Sequence, residues 1–197
     1  MASRSLKIIL TSDGILSSKA LRKELLAMLG PDIGRKSMWY IPTAAVGQGW
    51  SQAMIREACG ELGGLGFGQV RSIDVSQVRG EELWDQLSEL PSVDCVYLEM
   101  GNAYYLMHHL RASGADMCVA SAALAGAVVV GASAGSICLG RTVQIAFWKN
   151  WDDRTCMGIK DVWGNRDLAR GLDLCGGRSC LPHADGEYAD RDWQEDQ

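Results

Sequence analysis

The chain has 197 residues, 47% of them hydrophobic and 22% charged, which suits one soluble globular domain and leaves two cramped. Its net charge of −5, from 19 basic and 24 acidic side chains with no basic cluster, excludes nucleic acid as the main partner. No stretch reads as a signal peptide or membrane span, and seven cysteines without regular spacing read as free thiols, so a cytoplasmic protein is expected.

Strands and helices alternate from the start. Leu6 to Leu10 is an apolar run closed by the turn Ser12-Asp13-Gly14, and reads as a strand. Ser18 to Leu29 predicts a helix, with Ser18 as cap, Leu21, Leu25 and Leu29 on one face, and Gly30 as stop. Met38 to Ile41 predicts a strand halted by Pro42, and Trp50 to Leu62 a helix before a glycine-rich turn. Val70 to Ile73 and Val93 to Leu98 read as strands around a helix from Glu81 to Leu90. Helices are expected over Ala103 to Ala112 and Met117 to Leu124, then a strand over Ala127 to Val130. Such alternation implies a mainly parallel sheet covered on both faces, with reactive groups gathered at the carboxyl ends of its strands. Beyond Gly140 the order weakens, with a faint strand over Val143 to Trp148 and another just before His183. One domain is expected over residues 1–184, with a polar, poorly ordered tail over 185–197.

The strand ending in Gly131-Ala132-Ser133-Ala134-Gly135 carries the most chemical information. Small residues around a serine between a strand and a helix are the pattern of a nucleophile elbow. Ser133 must take a strained backbone conformation there, and Gly131 and Gly135 keep the tight turn free of side-chain clashes. The N–H of Ala134 is then placed to stabilise an oxyanion.

A serine nucleophile needs a base, and the base needs a carboxylate to hold its tautomer. The chain has three histidines. His108 and His109 lie within a predicted helix and read as surface or packing residues, while His183 follows Pro182 and suits a base. Asp152 and Asp153, flanked by Trp148 and Trp151, are the candidate acids, since the tryptophans can bury one carboxylate against an imidazole. Cys175 and Cys180 lack a second ligand pair, so no metal is expected.

Together and in this order, these segments resemble the dipeptidase E and cyanophycinase family of serine peptidases. Tyr40-Ile41-Pro42-Thr43-Ala44-Ala45, Gly101-Asn102 with Tyr104 and Leu106, the elbow, Trp151-Asp152-Asp153 and Pro182-His183 carry the resemblance. It implies a three-layer αβα sandwich of the class I glutamine amidotransferase type, flavodoxin-like in layout. It also implies Ser133 as nucleophile, His183 as base and Asp152 as acid. The N–H groups of Gly101 and Ala134 would form the oxyanion hole, and Asn102 would line the substrate site. The substrate would be a small peptide, with an N-terminal aspartate as one possibility, cleaved without metal or cofactor. An acidic residue would want an arginine, and Arg141, Arg154, Arg166 and Arg170 are the candidates.

Two departures stand against the family pattern. Its triple glycine reads Glu99-Met100-Gly101 here, so a strained or displaced oxyanion hole is expected if Met100 must adopt a glycine-like conformation. The family also continues well past its Pro-His pair, whereas fourteen residues follow His183 here. An uncovered sheet edge would promote association, so a homo-oligomer is one expected form. These departures keep a second reading open, a catalytically impaired relative or binding module of the same fold. An α/β-hydrolase esterase fits less well, because no His-Gly oxyanion motif precedes the serine. A glutamine amidotransferase would carry cysteine at position 133.

Overall fold

A computed structural model describes residues 5–88 and 93–184. Its centre is a five-stranded, wholly parallel sheet of β1 (Lys7–Thr11), β2 (Ser37–Ile41), β3 (Gln69–Ser72), β4 (Cys95–Leu98) and β5 (Val128–Ala132), in the order β1-β5-β4-β2-β3. Parallel strands need long crossovers, and the helices between them supply these. They are α1 (Lys19–Leu29), α2 (Thr43–Gly47), α3 (Gln52–Gly63), α4 (Gly80–Ser88), α5 (Ala103–Ser113) and α6 (Ala115–Ala125), followed after β5 by α7 (Ala134–Leu139) and α8 (Ala146–Lys149).

Strand side chains alternate between two cores, which makes the architecture three-layered. Met38, Tyr40, Cys95, Tyr97, Val128 and Val130 face Leu25 of α1 and Ile55 and Leu62 of α3. Trp39, Ile41, Val96, Leu98 and Val129 face the α4–α7 side, where Leu83, Leu106, Val119 and Ile137 meet them. The central strands β2, β4 and β5 are buried along their whole length, as strands covered on both faces must be.

Local signals place most helix ends. Ser18 accepts the Leu21 N–H at 3.4 Å to start α1, and Gly30 at φ 80° ends it. Ser51 caps α3 through the Met54 N–H at 3.3 Å, although the sequence pattern started that helix at Trp50. Within α5, His109 packs its ring 4.3 Å from that of Tyr105, and burial pushes its pKa down to about 4, as a packing role requires. Among the described residues no helix is long and apolar enough to cross a membrane. The expected tail over 185–197 and the end of the helix expected up to Leu90 lie outside the described residues.

Two expected strands are absent from the described residues. Val143 to Trp148 winds into a 3-10 turn over Val143–Ile145 and then α8. Thr142 accepts the Gln144 N–H at 3.2 Å and the Ala169 carbonyl takes the Val143 N–H at 2.8 Å, so these contacts override the β-branched residues. The approach to His183 is likewise irregular, tied to the C-terminal end of α7 by Leu172 N–H to the Cys138 carbonyl and Leu174 N–H to the Leu139 carbonyl. The short helix α2 has no counterpart in the sequence pattern, and it proves important for the site.

Candidate active site

Ser133 sits between β5 and α7 at φ 44° and ψ −102°, a conformation an L residue holds only under strain of about 1–3 kcal/mol. The surroundings enforce it. A Cβ on Gly131 would stand 2.6 Å from the Ser136 nitrogen, and one on Gly135 would stand 2.3 Å from the Leu98 carbonyl oxygen. The first glycine lets the turn fold on itself; the second lets α7 pack against the end of β4. Ser136 locks the arrangement, accepting the Thr11 N–H at 3.0 Å while its oxygen lies 2.7 Å from the Gly131 carbonyl. The Ser133 N–H in turn donates to the Thr11 carbonyl at 2.8 Å.

The fold brings His183 to this serine across fifty residues of sequence, with Nε2 3.1 Å from Ser133 Oγ. His183 holds a positive φ of 59°, and its N–H donates to Ser12 Oγ at 3.0 Å. The Trp151 ring stands 5.3 Å from the imidazole, so the tryptophan-bearing segment does meet the histidine. It meets it with a ring.

The structure does not bring the expected acid to the imidazole. The Asp152 side chain is buried, 1% exposed, with Oδ1 paired to Lys149 Nζ at 3.0 Å and Oδ2 accepting the Ala103 N–H at 2.8 Å. Both oxygens are therefore committed to an ion pair and to the start of α5. Asp153 turns away too, accepting the N–H and the hydroxyl of Thr155, each at 2.8 Å, and these bonds lower its pKa. Asn102 is held within the same loop. It is buried, its Oδ1 accepts the Tyr105 N–H at 2.9 Å and its Nδ2 donates to the Asp153 carbonyl at 2.8 Å. Its amide shapes the loop that carries Gly101.

These contacts converge on Gly101. The Asn102 N–H donates to the Ala44 carbonyl at 2.9 Å, and Gly101 itself lies so close to α2 that an added Cβ would stand 2.1 Å from the Ala44 oxygen. Gly101 has φ 137°, so the glycine requirement falls here. Met100 is not among the positive-φ residues, which removes the expected conflict. Its side chain packs toward the β1 turn, 3.7 Å from where a Gly14 Cβ would be. Its N–H donates to Glu99 Oε1 at 2.8 Å, and Glu99 Oε2 accepts from the Tyr40 hydroxyl at 3.0 Å. Burial raises the Glu99 pKa against these two bonds. Among the described residues neither the Gly101 N–H nor the Ala134 N–H has an acceptor.

Two predictions arise here. Met100→Gly restores the family pattern but should leave turnover within about twofold, while lowering stability by about 1–2 kcal/mol through lost packing and added chain entropy. A rise of tenfold or more in kcat on an aspartyl dipeptide would show that methionine does distort the loop. Asp152→Asn removes the carboxylate facing a buried ammonium, and should cost about 3 kcal/mol in urea denaturation. An unchanged denaturation midpoint would show that the pair does not brace the fold.

Ser12, Asp13, Ala44, Ser136 and Lys149 were not singled out as site residues in the sequence, though Asp13-Gly14 was visible as a turn at a strand end. Of the candidate arginines, Arg154 pairs with Asp161 at 3.6 Å and covers the Phe147 ring. Arg141 and Arg170 lie beside the end of α7 remote from Ser133, with the Arg141 N–H bonded to the Arg178 carbonyl.

Comparison with solved structures finds the same fold in other proteins. A protein assigned as peptidase E from Listeria monocytogenes EGD-e matches with a TM-score of 0.64 at 22% identity, over 86% of this chain and 75% of that one. A peptidase from an acI-B1 Actinobacterium matches with a TM-score of 0.63 at 17% identity, over 92% of this chain and 70% of that one. No curated protein sequence matches the chain. The sequence pattern of peptidase family S51 matches residues 8–193, nearly the whole chain, and the chain belongs to that family of peptidases.

Proposed function

We propose that the chain is a serine-type peptidase hydrolysing small peptides, with Ser133 as nucleophile and His183 as general base. The observation that carries this reading is the strained Ser133 with its Oγ 3.1 Å from His183 Nε2. A hydroxyl at that distance can pass its proton to a neutral imidazole as Oγ attacks the scissile carbonyl. The Gly101 and Ala134 N–H groups, both without acceptors among the described residues, receive the charge that develops on the carbonyl oxygen. His183 then protonates the leaving amine, and water releases the acyl group by the same steps in reverse. Asp152 and Asn102 serve this chemistry at one remove, by fixing the loop that carries Gly101.

Aspartyl dipeptides, the substrates the family resemblance implies, form the first panel to test. The reading of an impaired relative loses one of its two motives, because Met100 adopts an ordinary backbone conformation. A fluorophosphonate probe tests activation of the serine without knowledge of the substrate. Labelling confined to Ser133 is expected, and absence of labelling under conditions where the chain is folded would overturn the reading.

A further inference from the structure

An imidazole base needs a carboxylate to hold its tautomer and to stabilise the imidazolium it becomes. The aspartates after the elbow do not supply one, since Asp152 is spent on Lys149 and α5 and Asp153 on Thr155. A different carboxylate faces the ring. Asp13 Oδ1 lies 3.7 Å from His183 Nδ1, on the side of the imidazole away from Ser133.

Sheet register explains why it is there. Thr11 of β1 is opposite Ala132 of β5, so the turn after β1 stands beside the serine that follows β5. That turn is pinned. Thr11 Oγ1 accepts the Gly14 N–H at 2.9 Å and donates to the Gly131 carbonyl at 3.2 Å, and Gly14 takes φ 81°. Ser12 accepts the His183 N–H at 3.0 Å. One turn thus holds the backbone of the histidine and presents a carboxylate to its ring.

We propose that Asp13 is the carboxylate that orients His183 and stabilises its protonated form, a positioning residue supplied by the β1 turn instead of the segment after the elbow. The proposal rests on the peptidase reading above and goes beyond it. A separation of 3.7 Å exceeds a hydrogen bond, so in the resting state Asp13 acts as a nearby charge. Its side chain is 71% exposed and free to rotate, and closes on Nδ1–H when the ring takes the serine proton. The same exposure keeps the effect modest. Among the described residues the ring also meets Ser133 and the Trp151 indole; Lys149, 5.7 Å from the indole centre, is paired with Asp152.

The test compares the full chain with Asp13→Asn, Asp13→Glu and Asp152→Asn in two measurements. One is the rate of fluorophosphonate labelling of Ser133. The other is the titration of the His183 ring by NMR, assigned with His183→Gln. Asp13→Asn should slow labelling about threefold to tenfold and move the His183 titration to lower pH. Asp13→Glu should recover labelling to within about twofold, and Asp152→Asn should leave the titration in place. The proposal is overturned if Asp13→Asn leaves the titration where it was, or if Asp152→Asn shifts it instead. A wild-type chain that takes no label would sink the peptidase reading alone, because the titration still decides whether Asp13 governs the imidazole.

Discussion

Ser133→Ala is expected to remove peptide hydrolysis while the chain keeps its fold. Loss of a nucleophile of this kind lowers turnover by up to about a millionfold, leaving what the oxyanion donors and binding supply alone. The fold survives because the strain at φ 44° is imposed by contacts that the serine hydroxyl does not make. Gly131 and Gly135 admit the tight packing, and Ser136 ties the turn to β1. Alanine fits the same space and gives up one hydrogen bond, worth about 1 kcal/mol. Hydrolysis measured beside thermal melting checks both halves. Retained hydrolysis with an unchanged melt would mean that another group attacks the carbonyl.

His183→Ala is expected to lower turnover by about three orders of magnitude or more. Among the described residues the imidazole stands within reach of the Ser133 hydroxyl proton, at 3.1 Å, and on the proposed mechanism it also protonates the leaving amine. Because only the neutral ring can accept a proton, activity should fall as pH drops and His183 becomes charged. That acidic limb should vanish in the variant. Ser133 and His183 act as one unit, so the double variant should be hardly slower than either single one. A double variant slower by the product of the two losses would separate their roles and contradict the pairing.

The division of labour between aspartates is where local sequence and tertiary structure part company. Trp151-Asp152-Asp153 marks a segment near the site, and Trp151 does lie against His183. Which way the carboxylates turn is decided by partners distant in sequence. Asp152 is drawn to the Ala103 N–H at the start of α5 and to Lys149, and a buried ammonium holds a carboxylate more strongly than a partly exposed imidazole can. The loop that carries Gly101 shows the same effect. Glycine is required at position 101 because Ala44 of α2 presses on it, and Met100 escapes because its backbone stays out of the positive-φ region.

What the sequence determined by itself is the alternation of strands and helices, the parallel sheet and the strand-to-helix turn that carries Ser133. Those features are written in contiguous residues: the Ser18 cap and Gly30 stop of α1, the apolar runs of β4 and β5, and the Gly-Ala-Ser-Ala-Gly turn. Tertiary structure alone decided the conformation of Val143 to Lys149, the commitments of Asp152 and Asn102, and the meeting of the β1 turn with His183. Ser12 and His183 are 171 residues apart in the chain, and no local pattern encodes their contact. Sheet register sets it. Pairing Thr11 with Ala132 aligns the ends of β1 and β5, and whatever follows each strand is then held at one place.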